Sequence, residues 1–192
     1  MAAGDLTNLL SALERGEAGA LSRAFELLYG ELRALAHRQR RGWRNDATFG
    51  TTALVHEAYV KLVNAGGLPV ESRGHFLGLA ARAMRHLLCN RARDRSRLKR
   101  GGALRRTTQD VDGVADTLST LDIETIVAID EAMTRLAKTD ERLVRVVECR
   151  FFAGLSIPET AAALGTSEAT VKRDWALARD HLYQTIVEGA TA

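Results

Sequence analysis

The chain has 192 residues, of which 46% are hydrophobic and 27% are charged. This length suffices for one full-sized domain or two small ones, and the composition excludes a mainly disordered chain. The 27 Lys and Arg residues and 24 Asp and Glu residues leave a formal net charge of only +3, so the overall charge does not by itself indicate a polyanionic partner.

The N-terminal residues and the two cysteines bear on where the protein works. The first residues lack the basic start and apolar run of a signal peptide, and no apolar stretch approaches the roughly 20 residues that span a bilayer. Cys89 and Cys149 each lie in a helical apolar pattern and cannot supply a disulfide framework or a four-ligand zinc site. We therefore expect a cytoplasmic protein with reduced core thiols and without a membrane partner.

The apolar residues recur at three- and four-residue steps almost throughout, and this periodicity predicts an all-α protein. A short first helix is predicted over residues 6–13, and a long second helix from about residue 21 to residue 41. A third helix is expected to open near Thr51 or Thr52, either of which can cap it.

The fourth predicted helix is capped by Ser72 and carries the strongest charge signal of the chain. Between Arg73 and Arg106 there are eleven basic residues and one acid, Asp94. Because such a helix repels itself unless a polyanion is bound, the pattern favours phosphate contact over a merely solvated helix end. Phe76 is nearly alone as an aromatic residue in this segment, so electrostatic contact is expected to contribute more than base stacking.

A linker is predicted at residues 101–122, where the helical periodicity gives way to Thr, Ser, Gly and Asp. Its charge is acidic, opposite to that of the preceding helix. We therefore predict two small helical domains, residues 5–100 and 123–188, joined by a flexible acidic linker. The second domain is expected to begin with helices that start near Ile123 and Thr139.

The most specific motif is a predicted helix-turn-helix in the second domain. After Gly154 ends the preceding helix, Ser156 can cap a helix with Pro158 in its first turn, Gly165 supplies the turn and Ser167 caps the next helix. A helical hairpin used only for packing is the alternative. If the second helix enters the DNA major groove, the residues near DNA are Ser167, Glu168, Thr170, Lys172, Arg173 and Trp175.

Together these features resemble an extracytoplasmic-function (ECF) sigma factor of the bacterial sigma-70 family. Three stretches carry the resemblance in the right order, namely residues 54–62, 75–93 and 151–173, and the likeness covers nearly the whole chain. It implies an RNA polymerase sigma factor that binds core polymerase, directs promoter recognition and assists promoter opening.

The resemblance also implies roles for individual residues. The clamp helices of the largest catalytic polymerase subunit would contact Leu54, His56, Glu57, Tyr59 and Lys61, and the flap of the second-largest subunit is a further expected contact. The -10 promoter element would be bound by Arg73, His75, Phe76, Arg82, Arg85, Asn90, Arg91 and Arg93. The helix-turn-helix would read the -35 element. The linker acids Asp110, Asp112 and Asp116 look like those of a segment that threads toward the active-site cleft.

One departure from the family pattern suggests a form of control. Related chains usually carry acids just before residue 54, where they meet basic residues of the clamp, but here the stretch is Gly50-Thr51-Thr52-Ala53. A phosphate on Thr51 or Thr52 would place about two negative charges at a helix N-terminus, which favours them. Control by a Ser/Thr kinase is one hypothesis. The alternative is that Thr52 only caps the helix and another surface binds the clamp.

Other classes of function receive little support. The five histidines lack metal-ligand spacing, and no phosphate-binding Gly loop or nucleophile elbow occurs, so we expect no catalytic site, metal or cofactor. A transcriptional regulator that binds operator DNA as a dimer is the main competitor, and an adaptor that docks on polymerase without reading DNA is a third possibility. The resemblance also allows an anti-sigma protein as a partner, which would be a separate chain.

Overall fold

The computed structural model describes residues 3–40, 49–65, 70, 72–98 and 123–191. Within these ranges the chain is helical and contains no strand, so the predicted all-α class is confirmed. The first unit contains α1 (Ala3–Glu14), α2 (Ala20–Leu27), α3 (Tyr29–Arg40), α4 (Thr51–Ala65) and α5 (Arg73–Leu98). The second contains α6 (Ile123–Leu136), α7 (Glu141–Val147), a π turn (Glu148–Phe152), α8 (Ile157–Ala163) and α9 (Glu168–Thr191).

Some of the predictions fall outside the described residues. These are the acidic linker at residues 101–122 with its three named aspartates, and the end of the basic helix at residues 99 and 100. The side chains of residues 95–98 are also outside the description. The two-domain division with a flexible linker therefore stays a prediction.

The helix predicted from about residue 21 to residue 41 is divided into α2 and α3. The division falls at Leu28, whose φ of -99° and ψ of 11° leave the helical range. Phe25, Leu28 and Leu32 are nevertheless all buried. Because the apolar spacing continues across the division, periodicity could not reveal it.

The predicted start of α4 near Thr51 is confirmed, whereas α7 begins two residues after the predicted start at Thr139. Thr51 is already the first residue of α4, and the amide of Leu54 donates to the carbonyl of Gly50 at 3.0 Å, so neither threonine precedes the helix. Asp140 caps α7, since its side chain accepts from the amides of Arg142 and Leu143. A carboxylate at this position also interacts favourably with the positive end of the helix dipole.

The long helix α5 lies at the centre of the fold. It packs against α3 and α4 of the first unit and against α6, the π turn and α8 of the second. The buried apolar residues form one continuous cluster, with Phe76 of α5 and Phe152 of the π turn among its largest fully buried members. In this conformation the two helical units therefore share one core.

Glycines of α5 allow this close approach. A Cβ built on Gly74 would lie 2.8 Å from the Cβ of Ala163 in α8, and one built on Gly78 would lie 3.3 Å from the Sγ of Cys149 in the π turn. On the other side of the contact, Nη2 of Arg38 in α3 donates to the carbonyl of Ala153 at 2.7 Å. At these positions backbone and small side chains, rather than large apolar ones, form the contact between the units.

Candidate nucleic-acid and polymerase interface

The segment from Ser156 to Ser167 has the local geometry that its sequence predicts. Ser156 and Glu159 form a capping box at the start of α8, in which each side chain accepts a hydrogen bond from the other residue's backbone amide. Gly165 takes a φ of +60°, and the Ser167 hydroxyl accepts from the amide of Thr170 at 3.1 Å. These local contacts define where α8 begins and where α9 begins.

The outward face of α9 carries most of the residues predicted to read DNA. Ser167, Glu168, Lys172 and Arg173 are exposed, and Thr170 is half-buried. Trp175 differs, because it is only 9% exposed and the guanidinium carbons of Arg150 and Arg179 lie 5.8 Å and 5.9 Å from the centre of its ring. In this conformation Trp175 serves packing, so its predicted DNA contact is not available.

The helix α4 presents a mixed polar and apolar outer face. Of the residues predicted to bind polymerase, His56 and Glu57 are exposed, whereas Leu54 is fully buried. Val60 and Val63, which sequence reasoning did not select, are 40% and 47% exposed and lie one and two turns beyond His56. The exposed stripe of α4 therefore combines charge with aliphatic surface.

The other two predicted polymerase contacts on α4 are partly used inside the fold. The ring of Tyr59 is half-buried and meets Phe25 edge to face with centroids 5.1 Å apart. Lys61 is half-buried, and its charge interacts with those of two arginines of α5. Its pKa is lowered, first by burial and then by the charges of Arg85 and Arg82.

Two arginines, Arg40 and Arg91, contact residues at or just before the N-terminus of α4. Nη1 of Arg40 donates to the Thr51 hydroxyl at 3.3 Å, and Thr51 is half-buried. Thr52 is exposed. Arg91 of α5 lies with its guanidinium carbon 3.7 Å from the centre of the Phe49 ring, just before the helix. The two threonines thus differ in accessibility.

The residues predicted to bind the -10 element are divided between solvent and the interior. Arg73, Asn90 and Arg91 are exposed, His75 is half-buried, and Phe76 is fully buried against Phe25. Arg73 also pairs with Glu31 of α3. The predicted DNA contact of Phe76 is therefore not available in this conformation, where the ring belongs to the core.

Three further predicted DNA contacts form ion pairs with the second unit. We call Arg82, Arg85, Arg93, Asp130 and Glu148 the ionic cluster. Arg85 pairs with Asp130, and its Nη2 lies 3.2 Å from Oε1 of Glu148. Arg82 is 3.4 Å from the same Glu148 oxygen, and Nη2 of Arg93 donates to Asp130 at 2.8 Å. The cluster joins α5 to α6 and to the π turn.

The centre of the ionic cluster is removed from water. The side chains of Arg85, Asp130 and Glu148 are 3%, 5% and 6% exposed. Burial raises the pKa of Glu148, and the charges of Arg82 and Arg85 act against that rise. Because charges at this depth lose their hydration, they are retained only where partners compensate for it.

Sequence reasoning selected the arginines of the cluster and missed its carboxylates. Asp130 lies on the apolar stripe of α6 with Ile129 and Met133 as neighbours, and Glu148 lies on the stripe of Val144 and Phe152. A lone acid on the buried face of an amphipathic helix is the signal that could have identified both residues.

Comparison with known proteins and protein families identifies the family of this chain. Among curated proteins, no match was found. Within the part of the chain that the structure describes, no helix is both long and apolar enough to span a membrane. The family model of the ECF sigma factors matches residues 3–188. The chain therefore belongs to the ECF sigma factor family and is an RNA polymerase sigma factor, which binds core polymerase and directs it to promoters.

Proposed function

We propose that α9 of this sigma factor reads the -35 element, that the basic side of α5 binds the -10 element, and that the outer face of α4 binds the clamp helices of the largest polymerase subunit. The flap of the second-largest subunit is the proposed contact of the C-terminal unit. The observation that carries the proposal is the capped turn before α9, which leaves Glu168, Lys172 and Arg173 exposed on its outer face. Since the proposed partner is polymerase, the proposed place of action is the cytoplasm, where the chain acts as a regulatory factor and not as an enzyme.

The chemistry of the exposed side chains supports these assignments. Lys and Arg bind guanine edges and phosphates, and a hydroxyl at a helix N-terminus can donate to a phosphate oxygen. The α4 stripe supports a protein partner instead, because it combines His56 and Glu57 with the exposed aliphatic surface of Val60 and Val63. An operator-binding dimer is not favoured by the family match.

The test is multi-round transcription from the chain's own upstream region with purified core polymerase. Wild type should give transcripts of defined start, and Lys172→Ala with Arg173→Ala should reduce them at least about tenfold, since each base contact contributes about 1–3 kcal/mol. Lys138→Ala is the matched control, because Lys138 is exposed in the same unit and is not part of α9. Equal loss in both variants would contradict the assignment of α9.

The α4 surface needs its own test, which separates polymerase binding from DNA binding. Val60→Asp and Val63→Asp should weaken co-purification with core polymerase while binding of a -35 duplex is unchanged. Val63 is exposed, so the substitution removes no buried packing. Tyr29→Asp on α3 is a control at an exposed apolar residue of similar exposure, outside the proposed polymerase and DNA surfaces. Normal co-purification of both α4 variants would move the polymerase contact to another surface.

Control by phosphorylation is a proposal for Thr52 in particular. Its side chain is exposed, whereas Thr51 is half-buried and bonded to Arg40, so a kinase reaches Thr52 more readily. A phosphate there would supply the negative charge that the stretch before residue 54 lacks, at a helix N-terminus. Kinase treatment should raise transcription by wild type and by Thr134→Ala but not by Thr52→Ala. An equal response of Thr52→Ala would reject control by phosphorylation of Thr52. Co-purification of the chain from cells is a separate test, which would reveal an anti-sigma protein bound to it.

A further inference from the structure

The buried carboxylate of Asp174 is a feature of the C-terminal unit that the proposed function leaves unexplained. Asp174 lies on α9 directly after Arg173, yet its side chain is only 1% exposed. Among the residues that the structure describes, no hydrogen-bond donor reaches its Oδ1. Because a buried carboxylate loses its hydration, such a charge is retained only where cations compensate for it.

Two exposed arginines supply this compensation from two different helices. Nε of Arg142 in α7 lies 3.1 Å from Oδ2 of Asp174, and Nε of Arg173 in α9 lies 3.5 Å from Oδ1. The side chains of the two arginines are 56% and 63% exposed. Nη2 of Arg142 is also 3.7 Å from Oδ2 of Asp140, which caps α7. One carboxylate of α9 thus brings together two cations that would otherwise repel each other.

We propose that Asp174 is a positioning residue, which holds Arg142 beside Arg173 so that Arg142 binds a phosphate of the -35 element. Asp174 itself does not contact DNA, because its side chain is buried. This inference rests on the proposed function of α9. It adds to the proposed DNA surface a residue of α7, which lies outside the predicted helix-turn-helix and which sequence reasoning did not select.

The distances place Arg142 close to a residue that is proposed to read DNA. Since the two oxygens of a carboxylate are only about 2 Å apart, the Nε atoms of Arg142 and Arg173 lie within about 9 Å of one another. Each strand of B-DNA carries one phosphate per roughly 3.4 Å of helix axis. A duplex that contacts Arg173 therefore brings further phosphates within reach of Arg142.

The chemistry of the guanidinium group favours a phosphate as the outer partner of Arg142. The pair with Asp174 uses Nε, and a guanidinium group carries four further N–H donors on its two Nη atoms. Arginine binds phosphate through two such donors at once. Because the buried carboxylate already restricts the arginine side chain, less conformational freedom is lost when the phosphate binds. A salt bridge that only joins α7 to α9 is the alternative, and it predicts no specific effect on DNA binding.

The first experiment measures how binding depends on salt, with the full-length chain assembled on core polymerase and a duplex of the chain's own upstream region. Arg142→Gln should make the slope of log K against log salt less steep by about 0.9, which is the contribution of one phosphate contact. The affinity should fall by the same factor when the -35 bases are changed, because a phosphate carries no sequence information. Arg145→Gln is the matched control, since Arg145 is 55% exposed on α7 but pairs with Glu141. Its slope should stay within about 0.3 of the wild-type value.

The second experiment tests Asp174, for which positioning and net charge predict effects of opposite sign. By charge alone, removing an acid beside a DNA-binding surface should tighten binding. If Asp174 positions Arg142, Asp174→Asn should instead weaken binding at least about threefold, and it should add no further loss to Arg142→Gln. Asp180→Asn is the control at an exposed acid of α9, and it should not weaken binding. Urea denaturation of each variant shows that it is folded under the binding conditions.

The outcomes separate this inference from the proposed function of α9. A wild-type salt slope in Arg142→Gln, or an equal change in Arg145→Gln, would overturn the phosphate contact. Because Arg142 is exposed, this result decides the matter even if Asp174→Asn does not fold. Tighter binding by a folded Asp174→Asn variant would overturn the positioning role. If Lys172→Ala with Arg173→Ala leaves transcription at the wild-type level, the assignment of α9 itself fails.

Discussion

Adding one methyl group at Gly74 should destabilise the protein, whereas the same change at Gly30 should stabilise it. Both glycines are the second residue of a helix, α5 and α3 respectively. A Cβ at residue 30 meets nothing within 4 Å, but one at residue 74 would lie 2.8 Å from the Cβ of Ala163 and 3.4 Å from the carbonyl oxygen of Glu159. Of these two glycines, only Gly74 lies at the contact between the units.

The magnitudes follow from two opposing effects. Gly to Ala in a helix stabilises by roughly 0.5–1 kcal/mol, because the unfolded chain loses conformational freedom. At residue 74 the helices must separate by about 1 Å to restore ordinary contact, and overpacking of this kind costs typically 1–3 kcal/mol. We therefore expect the free energy of unfolding of Gly74→Ala to lie about 2 kcal/mol below that of Gly30→Ala.

Urea denaturation of the full-length chain measures both values, and a double-mutant cycle identifies the cause. Adding Ala163→Gly should recover most of the loss in Gly74→Ala, because it removes the opposing methyl group, while Ala163→Gly alone should destabilise. If Gly74→Ala is as stable as Gly30→Ala, or if the cycle shows no coupling, α5 and α8 do not meet in solution as described.

Three other predictions concern single side chains. Phe152→Ala should lower the free energy of unfolding by about 3–5 kcal/mol, because the ring is fully buried; a loss below about 1 kcal/mol in urea would contradict that burial. Ser156→Ala should cost about 1 kcal/mol by removing the capping box, and an unchanged melting temperature would show that the box is not formed. Acidification from pH 7 to pH 5 should destabilise the protein by about 1 kcal/mol through His86, after allowance for solvent screening of this half-buried ring.

The sign of the last prediction follows from the position of His86. Burial, and next the adjacent charge of Arg85, lower its pKa from the ordinary 6.5 to about 4; Lys61 and Arg82 act in the same direction, and Asp130 opposes them. The unfolded chain therefore binds the proton more tightly, so stability is present above about pH 6.5 and is lost as the pH falls toward 4. His86→Gln should flatten the dependence and exposed His37→Gln should not. A flat profile in wild type would contradict the burial of the ring.

Local features of the fold could be predicted from the sequence, whereas the contact between the units could not. Ser72, Ser156 and Ser167 each accept a hydrogen bond from an amide three residues ahead, and such contacts depend only on nearby residues. The pairing of Arg85 with Asp130 joins residues separated by the whole predicted linker. The composition predicted that the basic helix binds phosphate. The exposure of each arginine, however, depends on the helices that cover this helix.

The π turn has a consequence for how this segment of the chain can vary. Its amide of Ala153 bonds to the carbonyl of Glu148, five residues back, so the turn holds one residue more than an α-helical turn. Removing that residue would rotate the following side chains by about 100° relative to α7, which would take Phe152 out of the core and the Ala153 carbonyl away from Arg38. The spacing between Glu148 and Ser156 is therefore under geometric constraint. In homologous chains that keep the carboxylate, insertions and deletions should fall elsewhere.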